Sequence, residues 1–304
     1  MIGANSMGVQ FWWFYDVIAA AVILLCIFLI VRKGLVKASI TLTGFVIAAV
    51  TAFSACGPIA ETMYEQSARN SNFKKLDLTL ESVDFIDDLG NYIETLGYEV
   101  RVDNDHLRKA FEDKDDPEAK IYQYVNNING KKVDEEKTFI NKLHEGYAVV
   151  ISNYVAKRMN EYSAEYTAEA IRKNPEQIFE LYELLQDQDT KRPASKYISD
   201  NFLQKPYATQ TKLIAFLLIF VGIVIVTIVI VASTGKNSAP LVGFVPNAIS
   251  GILSIACGAI VIVAIAAVIR LNVVLGSNKM LFFNHEVIEN TYVFKYFYEL
   301  VSGL

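Results

Sequence analysis

Apolar positions along the chain follow two patterns. In the first they are nearly continuous. Phe14 to Val31, Ala38 to Ile59, Leu213 to Ala232 and Ala248 to Ile269 are unbroken by charge except for Asp16 near the start of the first run. A helix needs about 20 mostly apolar residues to cross roughly 30 Å of hydrocarbon, because lipid offers the backbone no hydrogen-bond partner. A charge at mid-bilayer costs about 2.5–3.5 kcal/mol, so four runs with no charge near their middles predict four transmembrane helices. In the second pattern, across 62–211, apolar residues recur at helical spacing. Phe139, Leu143, Tyr147, Val150 and Tyr154 trace one face, and Ile178, Leu181, Tyr182 and Leu185 trace another. Asp116-Pro117-Glu118 and Asn174-Pro175-Glu176 have the cap-then-proline order of helix starts. Ser82 to Leu96 reads as a weaker helix interrupted by Gly90, and Lys191 to Phe202 as a short one before the membrane. No useful period-two run occurs.

Charge sharpens this division. Of 28 Lys+Arg, 20 lie between 61 and 211, as do 29 of 33 Asp+Glu. A uniform water-soluble domain is excluded, and the acidic middle gives nucleic-acid binding no electrostatic support. Nothing basic precedes Arg32, so the first run lacks the cationic region of a secretory signal. The basic cluster follows it instead, in Arg32-Lys33-Gly34-Leu35-Val36-Lys37, and the excess of cations places that turn in the cytoplasm. Both termini and 62–211 are then external. Lys212 and Arg270, at the outer ends of their spans, and Lys236, the lone cation of the return loop, add little to this assignment. The expected fold is all-α: a polytopic membrane protein with four transmembrane helices and an inserted α-helical extracytoplasmic domain. Its parts are an N-terminal transmembrane hairpin (1–61), the inserted domain (62–211), a C-terminal hairpin (212–275) and an amphipathic interfacial tail (276–304). In the tail, Phe294, Phe297, Tyr298 and Val301 recur at helical spacing on a segment too short and polar to span, which suits the headgroup layer.

Candidate chemistry is sparse. Cys26, Cys56 and Cys257 lie in or beside the spans and read as small buried hydrophobes; no disulfide framework exists in the polar domain. Phe53-Ser54-Ala55-Cys56 loosely matches a lipoprotein processing site, but its first residue is atypical and cleavage there would sever the first span. His106, His144 and His285 are scattered, without metal-ligand spacing. Asn127, Asn129, Gly130 and Glu136 fall at calcium-loop positions, yet Val125 stands where a carboxylate is required and Lys132 where an apolar residue belongs; an Asn-Gly turn accounts for them. Asp113, Asp115 and Asp116 read as a helix end facing water. Asp16, beside Trp12, Trp13 and Tyr15, reads as a solvated helix-start aspartate at the interface rather than a functional intramembrane carboxylate. No catalytic residue, cofactor-binding residue or metal ligand is assigned, and a non-enzymatic protein is expected. Gly44, Ala48, Ala52 and Cys56 on the second span, and Ser250, Ser254 and Gly258 on the fourth, form small-residue stripes. Such stripes permit close backbone approach, and they mark helix contacts either within one chain or between copies.

The membrane segments resemble the colicin V production (CvpA-like) family of bacterial inner-membrane proteins. The resemblance rests on Asp16-Val17-Ile18, the Arg32–Lys37 turn, Leu241-Val242-Gly243-Phe244-Val245-Pro246-Asn247, Ile249-Ser250-Gly251-Ile252-Leu253 and Val287-Ile288-Glu289-Asn290-Thr291 before an aromatic helix. It covers 14–60 and 212–300; the family joins its second and third spans by a short segment where this chain has 62–211. It implies a multi-pass inner-membrane protein linked to toxin production or export and envelope maintenance. From the residues themselves, a membrane or envelope protein partner docked by the inserted domain is expected, and homo-oligomers through the small-residue faces are possible. A small transporter or channel component and an envelope sensor are the alternatives.

Overall fold

The computed structural model describes residues 11–113, 115–187, 189–234, 243–276 and 285–304. Among them every regular element is helical. The chain forms two compact units: Met1–Tyr64 with Tyr207–Leu304, and Glu65–Pro206.

Among the described residues, the first unit holds four helices long and apolar enough to cross a membrane. They are α1 (Trp13–Val31) and α2 (Leu35–Met63), and after the second unit α11 (Gln204–Ser233) and α12 (Phe244–Leu275). All but α1 run well beyond the charge-free runs that predict them. The additional turns carry residues such as Lys37, Glu61, Lys205 and Arg270, which the backbone accepts as readily as apolar ones. Helix α12 packs against α1 and α2, and its Cys257 joins Ile30, Ala38 and Phe45 in a buried cluster that Val224 of α11 also touches. Lipid supplies no hydrophobic drive for helix association, so closeness of approach decides these contacts. A Cβ at Gly44 would fall on the Thr227 side chain of α11, and one at Gly258 would lie 3.1 Å from the Cα of Ile23 on α1. Both small-residue stripes are therefore used inside one chain, with Ala48, Ala52, Ser250 and Ser254 fully buried beside the glycines. Phe53 and Phe216, with centroids 4.8 Å apart, extend the α2–α11 contact. Two short helices complete the unit: α13 (His285–Glu289) and α14 (Phe294–Ser302).

The second unit comprises α3 (Arg69–Leu80), α4 (Phe85–Glu94), α5 (Asn104–Phe111), α6 (Pro117–Asn129), α7 (Glu136–Ala156), α8 (Glu161–Lys173), α9 (Gln177–Leu185) and α10 (Arg192–Ile198). Their starts are set by local chemistry. Asp84, Asp103 and Asp116 each accept backbone N–H groups of the following turn, satisfying donors that have no intrahelical partner. The second cap-then-proline signal is displaced: α9 begins at Gln177, past Pro175, without a side-chain cap. Helix α7 is the axis of the unit, with α3, α4, α6 and α8 against it. Its predicted stripe is the core, Phe139, Leu143, Tyr147, Val150 and Tyr154 being buried. Around Tyr147 gather Phe85, Phe111 and Phe179, and Tyr182 packs on Phe111 at 4.6 Å.

Gly90 does not interrupt α4. A Cβ there would lie 2.8 Å from Oδ1 of Asn104 and 3.3 Å from Val102, so the glycine admits the chain that leads into α5. Leu203 ends a π-helical segment (Ser199–Leu203) three residues before Pro206. The widened turn accommodates a ring that would otherwise clash with the carbonyl four residues back. Arg69 grips Asp200 of that segment with two parallel N–H···O bonds of 2.7 and 2.6 Å. The guanidinium holds the Asp200 carboxyl below the usual carboxylate range.

Candidate functional site

A cavity of about 740 Å³ in the second unit lies between α4 and α7. Its floor is apolar, made by Val149, Val150 and the ring of Tyr92, and its rim is polar. On one side Asp88 accepts a 2.6 Å hydrogen bond from the Tyr154 hydroxyl through Oδ2. On the other Lys157 places its ammonium 5.6 Å from the Tyr154 ring centroid. Burial, and then the bond to Asp88, push the Tyr154 hydroxyl far above the ordinary tyrosine range, so it stays a donor at every physiological pH. Among the described residues, Asp88 Oδ1, the Asn91 and Asn153 amides and the Lys157 ammonium make no hydrogen bond or ion pair. An apolar floor edged by uncommitted donors and acceptors, with one charge of each sign, suits a polypeptide surface better than a small ion.

These residues carried no signal in sequence. Asp88 looks like a first-turn acid of α4, Tyr154 like a core position, and 66 residues separate them. The residues that sequence did single out go elsewhere. His106 stands exposed over Tyr124, its Nδ1 3.1 Å from Asp103. His144 bonds Glu118 at 2.8 Å; the side chain of His285 lies outside the described residues, as do Lys236, Leu241 and Val242. Gly130, left-handed at φ 71°, caps α6, and Asn126 of that helix accepts the Val133 N–H at 2.8 Å. This is an ordinary turn, and no group of three or more His, Cys, Asp or Glu side chains that could hold a metal occurs among the described residues. Cys26, Cys56 and Cys257 are free thiols.

No protein-family model, curated protein or solved structure matches the chain.

Asp16 does more than start a helix. It stands half-buried in the first turn of α1, and its carboxylate accepts the backbone N–H groups of Tyr292, Val293 and Phe294 at 2.8, 3.0 and 2.9 Å. These are orphan donors at the entry of α14, and a carboxylate there also faces the positive end of the helix dipole. Around this anchor Trp12 meets Tyr292 edge-on at 4.8 Å and Tyr15 stacks on Phe294 at 5.0 Å. Arg270 donates to the Tyr298 hydroxyl at 3.3 Å. One face of α14, Phe294, Tyr298 and Val301, is buried in the helical bundle, while Val293, Tyr296 and Leu300 on the other stand exposed.

Proposed function

We propose that this is a non-enzymatic, multi-pass protein of a bacterial inner membrane, of the colicin V production (CvpA-like) kind. In this reading the Glu65–Pro206 unit is extracytoplasmic and docks a membrane or envelope protein through the α4–α7 groove, serving toxin production or export and envelope maintenance. The membrane segments support it through the cationic Arg32–Lys37 turn and the glycine-punctuated entry to α12. The observation that carries it is the groove, whose rim groups are left unengaged over an apolar floor. Interface cores are built from such apolar floors with oriented polar edges, and a few central contacts hold most of the energy.

The test is site-specific photo-crosslinking in native membranes. A photoreactive residue at Asn91 or Asn153 should yield the same single protein adduct from both positions, one at Lys131 should not, and Lys157→Glu should lower the yield several-fold. Adducts at Lys131 equal to those at Asn91, or a yield indifferent to Lys157→Glu, would remove the groove from the account.

A further inference from the structure

A second cavity, about 170 Å³, lies inside the membrane unit and is lined by side chains of all four long helices, among them Ile30, Phe45, Val231 and Val261. We propose that it holds an acyl chain of an anionic phospholipid whose phosphate rests on Lys33. The inference rests on the four helices crossing a bilayer, and is independent of the groove and of sidedness.

Three features identify the occupant. The cavity is unsuited to water, which needs two to four polar partners to be retained. Its two threonine hydroxyls have already given their protons within their own helices, Thr41 donating to the Lys37 carbonyl at 2.7 Å and Thr227 to the Ile223 carbonyl at 2.9 Å, and only their acceptor lone pairs remain. Its wall also reaches the outer surface of the bundle: Leu29 and Ile228, which line it, are 48% and 54% exposed. Its depth suits the upper part of an acyl chain. The lining residues of α11, Thr227 to Val231, sit within about 9 Å of the helix end at a rise of about 1.5 Å per residue.

Charge complementarity selects the headgroup. Lys33 stands exposed at the rim, two residues past the end of α1, and has no acidic partner among the described residues. Arg32 beside it lies over the Phe28 ring at 4.9 Å, and Lys37 follows. No Asp or Glu occurs anywhere between Asp16 and Glu61, or from 201 to 285. This end of the bundle is thus cationic without compensation, and an anionic lipid phosphate supplies the missing counter-charge just where an acyl chain would fill the dry space.

The experiment is native mass spectrometry of the full chain released from nanodiscs of equal parts phosphatidylglycerol and phosphatidylcholine. The wild type should retain one phospholipid per chain, enriched in phosphatidylglycerol. Lys33→Gln should reduce that enrichment about fivefold, the worth of one surface cation near an anionic lipid. Ile228→Phe, at a half-exposed wall position, should lower occupancy while leaving helix content by circular dichroism unchanged. A headgroup preference that survives Lys33→Gln would overturn the inference, as would occupancy unchanged in Ile228→Phe, detergent held without preference, or a dimer with no lipid. A chain recovered outside the membrane fraction would instead refute the membrane reading beneath it.

Discussion

Gly44→Ala lowers the thermal midpoint of the detergent-solubilised protein, and Gly44→Leu prevents its recovery as a monodisperse species. The added Cβ would coincide with the Thr227 side chain, which is itself buried and hydrogen-bonded to its own helix. One helix must move, and overpacking of this kind costs about 1–3 kcal/mol even for small additions. Thr227→Ala removes the two atoms nearest the new methyl and so restores most of the loss in the double variant, a non-additivity expected only of residues in contact. Gly222→Ala is the control. Its Cβ meets no heavy atom within 4 Å, and replacing glycine in a helix interior is worth up to about 1 kcal/mol in its favour. Equal behaviour of the two glycine variants in a thermal-shift assay by size-exclusion chromatography would mean that α2 and α11 do not meet at Gly44.

Asp16→Ala frees the C-terminal helix without unfolding the bundle. Three backbone donors lose a charged acceptor at once, and a hydrogen bond to a charged group is worth about 1.5–3 kcal/mol, so amide exchange at Tyr292, Val293, Phe294 and along α14 should accelerate by roughly one to two orders of magnitude. The apolar face formed by Phe294, Tyr298 and Val301 keeps the helix near the bundle, so it loosens and is not lost. Asp16→Asn retains an oxygen acceptor and should fall between the two. Hydrogen exchange read by mass spectrometry on the 285–304 peptides decides it; unchanged exchange in Asp16→Ala would show that the carboxylate does not hold the tail.

What could be read in advance follows the range of the forces involved. The four long helices were legible because a charge at mid-bilayer is costly, and each run keeps its middle free of charge on its own. The starts of α4, α5 and α6 depend on Asp84, Asp103 and Asp116 acting on the next turn, and the Asp116-Pro117 pair displays that order openly. The stripe on α7 was legible for the same reason, since a buried face must repeat with the helix. Gly90 was misjudged because local reasoning counts the backbone cost of a glycine and cannot see Asn104 arriving beside it. The helix-start place of Asp16 was legible, but its partners were not, because they lie 276 to 278 residues away, beyond any periodicity. The groove of Asp88, Tyr154 and Lys157 left no trace, because each residue has an adequate local explanation and only tertiary packing makes them neighbours. The small-residue stripes fall between these cases: their presence was plain, but that they serve contacts within one chain became clear only with Thr227 and Ile23 in place.

The proposed topology keeps the Arg32–Lys37 turn inside the cell and puts the helical unit between the second and third spans on the other side. Cysteine labelling in intact cells by a thiol reagent that cannot cross the bilayer tests it directly, with the wild type, whose three thiols all sit on membrane helices, as background. Lys131→Cys should be labelled at once, and Val36→Cys only after the membrane is permeabilised. The reverse pattern, Val36→Cys labelled and Lys131→Cys protected, would invert the topology and end the proposed external docking role.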